Sequence, residues 1–195
     1  MMSQTLAESE REDRMTVESN ARSAVAPELL PSVGVDDFKA AFRGYPAGVC
    51  VITAEGPQGP VGLTATSVAS VSVDPPLLIF SLSALSSSTP TLKSATTIIV
   101  HILGKDQLEI ARLCATSGID RFADTSLWSR TEDGEPYFHG VEYRIRAHQV
   151  ESIETGQSTI IVARALEVWA DGDAGSAPLV YHNRTWHSLG AHSEI

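Results

Sequence analysis

The spacing of apolar and polar side chains predicts a chain built mainly from β-strands. Short apolar, β-branched runs recur along it, and we predict strands at residues 48–53, 62–73, 77–82, 98–103, 141–147, 159–169 and 178–182. In 141–147, Val141, Tyr143 and Ile145 alternate with polar side chains, which is typical of a strand with one buried face. The run at 77–82 is continuously apolar, which predicts burial on both faces.

Helical patterns are few. Residues 36–42 predict a short helix capped by Asp36, and residues 106–115 predict a helix with a broad apolar side. Pro90 suits the first turn of a third short helix at 89–94. Because no strand alternates regularly with a helix, the pattern favours an antiparallel barrel or sandwich over a parallel doubly wound sheet.

Composition limits the possible partners. The 195 residues carry a formal net charge of −10, which argues against nucleic acid and anionic membranes as ligands. Residues 1–34 are polar and predict a tail or a docking helix, whereas residues 35–195 predict the folded domain. Neither a signal peptide nor a long apolar span is evident, so we expect a cytoplasmic protein.

The sequence has no common nucleotide or metal motif. It contains neither GxGxxG nor GxxxxGK[ST], which disfavours Rossmann and P-loop folds. The six histidines are scattered, so we expect no metal site. Cys50 and Cys114 lie far apart and are expected to be buried free thiols.

Two blocks are dense in hydroxyl side chains. The first holds Thr64, Thr66, Ser67, Ser70 and Ser72, and the second holds Ser81, Ser83, Ser86, Ser87, Ser88 and Thr89. Such residues suit strand surfaces and turns, which is one interpretation. The other is a phosphate site, because the second block leads into a helix start with free N–H groups, to which Lys93 adds a charge if it turns inward.

Several segments resemble the flavin reductase-like domain family, the reductase components of two-component flavin-dependent monooxygenases. The resemblance begins in 45–53 (YPAGVCVIT), 62–72 (GLTATSVASVS) and 74–78 (DPPLL). It continues in the turn at 86–89, Gln107, 120–122 (DRF), 178–182 (PLVYH) and Trp186, and it spans roughly residues 38–189.

The resemblance implies a mainly β split barrel, a Greek-key antiparallel β-barrel of the FMN-binding type with a few short helices. It also implies a homodimer that binds FMN or FAD near the dimer interface, accepts hydride from NADH or NADPH, and supplies reduced flavin to a partner monooxygenase. The flavin-binding residues that it implies are Gly62, Leu63, Thr64, Ala65, Thr66, Ser67, Phe80, Ser81, Leu82, Ser86, Ser87, Ser88, Thr89, Arg121 and Phe122.

Two positions depart from the family pattern. Many members carry Asn where this chain has His101, and Gly-Asp-His where it has Gly156-Gln157-Ser158. By resemblance the nicotinamide-side residues are His101, Ser158, Val180, Tyr181, His182 and Asn183, and His101 and His182 are candidates to replace the missing histidine.

No catalytic acid or base is predicted, because hydride passes directly between two stacked cofactor rings. Two other functions fit the sequence. One is a non-catalytic flavin- or haem-binding split barrel, and the other is a structural dimer whose tail recruits a partner.

Overall fold

Short β-branched segments pair antiparallel around one large sheet, in the computed structural model that describes residues 31–170 and 176–195. The strands are β1 (Ala47–Gly48), β2 (Cys50–Gly56), β3 (Gly59–Ala65), β4 (Ala69–Val73), β5 (Pro76–Ser83), β6 (Thr97–Ile102), β7 (Trp128–Arg130), β8 (Pro136–Phe138), β9 (Tyr143–Thr155), β10 (Ser158–Ala170), β11 (Leu179–His182) and β12 (Thr185–Ser188). The helices are α1 (Val35–Arg43), α2 (Thr89–Ser94) and α3 (Leu108–Ala115). The mainly β prediction is confirmed.

The large sheet has seven strands in the order β3-β2-β6-β9-β10-β5-β4, and every neighbouring pair is antiparallel. Strands β1, β11 and β12 form a smaller sheet, and β7 pairs with β8. The run predicted as one strand at 62–73 is two strands. The reason is that β3 pairs with β2 whereas β4 pairs with β5, so the chain changes partner at residues 66–68.

Strand β2 separates two hydrophobic cores. Cys50, Ile52 and Ala54 face the first core, which lies inside the curved sheet and is closed by Leu92 of α2. Val49, just before β2, and Val51 within it face the second core, which is covered by α3, β8 and β11. The continuous apolar run of this strand therefore reflects burial on both of its faces.

The prediction that residues 77–82 are buried on both faces is wrong. Leu78, Phe80 and Leu82 point into the first core, whereas Ser81 and Ser83 are exposed on the opposite face. The side-chain period of two in a strand accounts for this separation. As a result β5 contributes apolar residues to the core and hydroxyl groups to the outer surface.

The predicted helices are present with small changes. Helix α2 has the predicted bounds, whereas the helix predicted at 106–115 begins only at Leu108, after a separate 3₁₀ turn at residues 105–107. Asp36 lies in the first turn of α1 rather than at its cap. Most of the predicted tail at 1–34 lies outside the described residues. Among the helices of the described residues, none is long and apolar enough to cross a membrane.

Candidate functional site

A groove of about 410 Å³ opens on the outer surface of the sheet, between β3, β5 and the end of α3. Its lining is dominated by hydroxyl side chains, with one arginine. The residues that line it are Leu63, Thr64, Ala65, Thr66, Ser67, Ser81, Ser83, Ser86, Ser87, Cys114, Ala115, Ser117, Arg121 and Ser158. Both hydroxyl-rich blocks of the sequence therefore contribute to one site.

Arg121 is held at the groove by hydrogen bonds to neighbouring elements. Its Nη1 donates to Ser88 Oγ at 3.0 Å, and its Nη2 donates to the Thr116 carbonyl at 2.8 Å. Ser88 Oγ in turn donates to the Gly62 carbonyl at 3.0 Å. The Arg121 Nε is buried and has no hydrogen-bond partner among the described residues. The site therefore contains a positioned guanidinium with unused donor capacity.

The opposite walls of the groove are also fixed by hydrogen bonds. The Ser81 backbone N–H donates to Ser67 Oγ at 3.0 Å, which holds the turn after β3 against β5. Thr64 Oγ1 donates to the Ala111 carbonyl at 2.6 Å and ties β3 to α3. The groove is therefore a preformed cleft between secondary-structure elements.

Gly62 permits a close approach of β3 to α3. A Cβ at this position would lie 3.3 Å from Cys114 Sγ and 3.4 Å from the Phe122 ring. Burial raises the pKa of the Cys114 thiol to about 12, although the nearby charge of Arg121 acts to lower it. Cys114 is therefore an uncharged thiol at neutral pH and gives the groove a small apolar surface.

Several of the sequence-predicted flavin residues are not among those that line the groove. Phe80 and Leu82 lie in the first core because they alternate with the groove-facing serines of β5, and Phe122 lies in the second core against Trp128. Ser88 and Thr89 are buried, and Thr89 Oγ1 donates to the Ser83 carbonyl at 2.6 Å. Ser88, Thr89 and Gly62 support the groove from beneath.

Other residues reach the groove without having been predicted for the flavin side. Ser83, Cys114, Ala115 and Ser117 line it, and Ser158 joins them from the start of β10, where it pairs with Ser83. Ser83 could have been predicted to line the groove, because it lies two residues after Ser81 and so shares the same face of β5. No comparable signal marks the end of α3, because its approach to β3 depends on tertiary packing.

A second cavity of about 500 Å³ adjoins the first. Thr66 and Ser67 line both, so the two cavities meet at the turn between β3 and β4. Its other lining residues come from α1, the segment that leads from α1 into β1, the strand β11 and the turn after it. They are Lys39, Phe42, Arg43, Tyr45, Ala47, Tyr181, His182, Asn183 and Arg184. Three of the sequence-predicted nicotinamide-side residues lie here, whereas Val180 is not among the lining residues.

His101 lies in the interior and reaches neither cavity. Its Nδ1 donates to the Val51 carbonyl at 3.0 Å, and the Phe138 N–H donates to its Nε2 at 3.1 Å. This pair of bonds requires a neutral imidazole, because Nε2 must accept. Burial lowers the pKa of His101 from 6.5 to about 4. His101 is therefore a structural residue, and the prediction that it replaces the missing nicotinamide-side histidine is corrected.

The buried imidazole makes stability depend on pH. The unfolded chain takes up a proton on His101 near pH 6.5 and the folded chain only near pH 4, so stability falls as the pH drops through this window. We expect His101 to account for a loss of about 3 kcal/mol between pH 7 and pH 4. Urea unfolding at several pH values should show this slope in the wild type and a shallower one in His101→Asn.

His192→Asn is the matched control, because His192 is exposed near the C-terminus. It should keep the pH slope of the wild type. Equal slopes for the wild type and His101→Asn would contradict a neutral, buried His101.

Comparison with known proteins identifies the class of protein to which this fold and groove belong. The family model described as flavin reductase like domain matches residues 42–190. An NADH:FMN oxidoreductase from Rhodococcus qingshengii is 40% identical over 166 residues, which are 84% of this chain and 86% of that protein. The reductase component of a flavin-dependent trigonelline monooxygenase from Acinetobacter baylyi is 30% identical over 142 residues, 72% of this chain and 46% of that protein.

The fold has a close counterpart among solved structures. The crystal structure of a flavin reductase domain protein from Arthrobacter sp. FB24 superposes with a TM-score of 0.75 at 31% identity, covering 80% of this chain and 95% of that chain. The split-barrel prediction is thereby confirmed. This chain belongs to the flavin reductase like domain family.

Proposed function

We propose that this chain is an NADH:FMN oxidoreductase that binds FMN in the groove between β3, β5 and α3, and NADH from the adjoining cavity. The observation that carries the proposal is the meeting of the two cavities at Thr66 and Ser67. The likeness to the NADH:FMN oxidoreductase of Rhodococcus qingshengii supports the choice of both cofactors.

The side chains of the groove fit a flavin mononucleotide. Arg121 supplies one fixed positive charge, and the hydroxyls of Ser86 and Ser87 add neutral donors beside it, which suits a single phosphate group. Ser81, Ser83 and Ser158 offer donors and acceptors along the cleft for the polar edge of the ring system. A site with neutral donors and one cation should bind FMN with moderate affinity. Moderate affinity is what a reductase needs if its reduced flavin must dissociate.

The residues between the cavities position the reactants rather than exchange protons. A flavin held in the groove would supply the hydride acceptor for a dihydronicotinamide. Thr66 and Ser67 would lie beside both rings and set their separation. Among the described residues of the groove, Cys114 carries a thiol whose pKa is raised by burial to about 12, so it does not exchange a proton near neutral pH. The chemistry therefore requires no catalytic acid or base.

A haem-binding role is less consistent with the donor set. Haem iron is usually held by histidine, thiolate, methionine or tyrosine. Among the described residues that line the groove, the one side chain of these types is Cys114, and burial keeps it in its protonated form.

The proposal also includes a homodimer and a partner monooxygenase that receives the reduced flavin. Val73 and Leu85, each 89% exposed in the single chain, present apolar surface on β4 and after β5, which supports burial against a second copy in a homodimer. The reduced flavin would pass to a separate monooxygenase, as the likeness to the trigonelline monooxygenase reductase supports. Free Cys50 and Cys114 are consistent with the reducing cytoplasm, where NADH is supplied.

Anaerobic mixing of the purified chain with FMN and NADH tests the function. We expect loss of flavin absorbance near 450 nm with one NADH consumed per flavin, and a light-scattering mass near twice 20.8 kDa. NADPH and FAD serve as comparison substrates. Tight retention of FMN without NADH oxidation would overturn the enzyme proposal and favour a flavin-binding protein.

A further inference from the structure

The second cavity is basic, although the protein is strongly acidic. Asp and Glu number 24 against 14 Lys and Arg over the whole chain. Even so, Lys39, Arg43 and Arg184 all line this cavity, and no carboxylate is among its described lining residues. A concentration of positive charge against the overall balance indicates an anionic ligand.

The sequence spacing and the fold bring these three cations together. Lys39 and Arg43 are four residues apart on α1 and so share one face of the helix. The Asn183 N–H donates to the Arg43 carbonyl at 3.0 Å, which ties the β11–β12 turn, and with it Arg184, to the end of α1. Within residues 31–170 and 176–195, none of the three cations forms an ion pair.

Arg184 has a backbone conformation that arginine rarely adopts. The two-residue turn of Asn183 and Arg184 has φ values of 48° and 62°, in the left-handed region. Asparagine suits the first position of such a turn, but the second usually holds glycine. A strained backbone at an arginine, where glycine fits better, supports a role for this side chain at the cavity.

Aromatic rings complete the cavity. Phe42 and Tyr45 line it, are 60% and 66% exposed, and have ring centroids 6.3 Å apart. Exposed rings beside cations match the two parts of a nucleoside diphosphate, because a base stacks on aromatic faces and phosphates pair with guanidinium groups. The cavity volume of about 500 Å³ lies in the range for a ligand of this size.

We infer that this cavity holds the adenosine diphosphate half of the dinucleotide, with Lys39, Arg43 and Arg184 paired to its pyrophosphate and Phe42 and Tyr45 against the adenine. This assignment rests on the proposed function, because the nicotinamide half would extend past Thr66 and Ser67 to the flavin groove. The three cations are binding residues for the hydride donor and lie outside the flavin phosphate site at Arg121.

Arg184→Gly gives the sharpest test, since glycine removes the charge and suits the left-handed turn. We expect an unchanged or higher Tm, a KM for NADH raised about tenfold, and an unchanged KM for FMN. Adding Lys39→Gln and Arg43→Gln should raise the KM for NADH about 100-fold or more. The KM for reduced nicotinamide riboside, which lacks both phosphates and the adenosine, should stay unchanged in every variant.

Calorimetric titration with ADP provides a readout that is independent of turnover. ADP should bind the wild type and Arg164→Gln, a control at an exposed arginine on β10, and should bind the triple variant at least tenfold more weakly. If the wild type fails to reduce FMN with NADH, the proposed function fails, whereas ADP binding still reports on the cavity. The assignment would be overturned if the triple variant kept the wild-type KM for NADH and the wild-type affinity for ADP. A rise in KM for NADPH alone, or for FMN alone, would overturn it as well.

Discussion

Arg121→Ala is expected to raise the KM for FMN by about 10- to 100-fold while leaving the KM for riboflavin nearly unchanged. The guanidinium is fixed by Ser88 Oγ and the Thr116 carbonyl beside the serines at 86–87, so it is placed to pair with a phosphate. A charge-assisted hydrogen bond contributes about 1.5–3 kcal/mol, which corresponds to the stated range. Steady-state kinetics with FMN and riboflavin measure the difference, because riboflavin lacks the phosphate.

Two further variants separate binding from folding. Arg112→Ala removes an arginine from the same region of the chain, where it is exposed and paired with Glu109 outside the groove, and should leave both KM values unchanged. Arg121→Lys keeps the charge but loses the forked geometry, and should fall between Arg121→Ala and the wild type. An equal loss of affinity for FMN and riboflavin would show that Arg121 maintains the shape of the groove and does not bind the phosphate.

The strands of this fold were largely predictable because their side chains carry a local signal. Thr159 to Trp169 and Leu77 to Leu82 are rich in β-branched and aliphatic residues, and the strands found there extend only one residue or so beyond the predicted ends. Strands β7, β8 and β12 have three or four residues each and pair within short local hairpins, so they escaped prediction. In a run of three or four residues, the alternation of apolar and polar side chains cannot be distinguished from the pattern of a loop.

Burial on both faces could not be assigned from the apolar runs alone. The runs in β2 and β5 look alike, yet β2 lies between two cores whereas β5 covers one. Which faces are covered depends on where α3 and β8 pack, and those contacts link residues far apart in sequence. His101 shows the same effect, because Val51 and Phe138, its backbone partners, lie 50 and 37 residues away.

The candidate site was predictable in its chemistry but not in its side-chain directions. The second hydroxyl block was interpreted as a phosphate site, and of its residues Ser81, Ser83, Ser86 and Ser87 line the groove. Ser88 and Thr89 differ because they turn inward at the start of α2 to bond backbone carbonyls. Lys93 turns away as well and pairs with Glu154. A turn fixes such directions through its backbone geometry, which residue type alone does not reveal.

Ser81→Trp is expected to abolish FMN binding, with the dissociation constant raised at least about 100-fold, a loss near 2.7 kcal/mol. Ser81 is exposed and faces the groove from β5, so an indole ring there would occupy the space proposed for the flavin. The fold should tolerate the change, because the partner of Ser67 Oγ is the Ser81 backbone N–H and tryptophan suits a strand. Flavin fluorescence quenching measures the affinity.

Ser70→Trp is the matched control, since Ser70 is an exposed serine on the neighbouring strand β4 and does not line the groove. It should bind FMN as the wild type does. A dissociation constant for Ser81→Trp within threefold of the wild type, at an unchanged Tm, would show that the flavin binds elsewhere. Ser81 does not line the second cavity, so ADP affinity should be retained in Ser81→Trp, and this result would locate the block in the flavin groove.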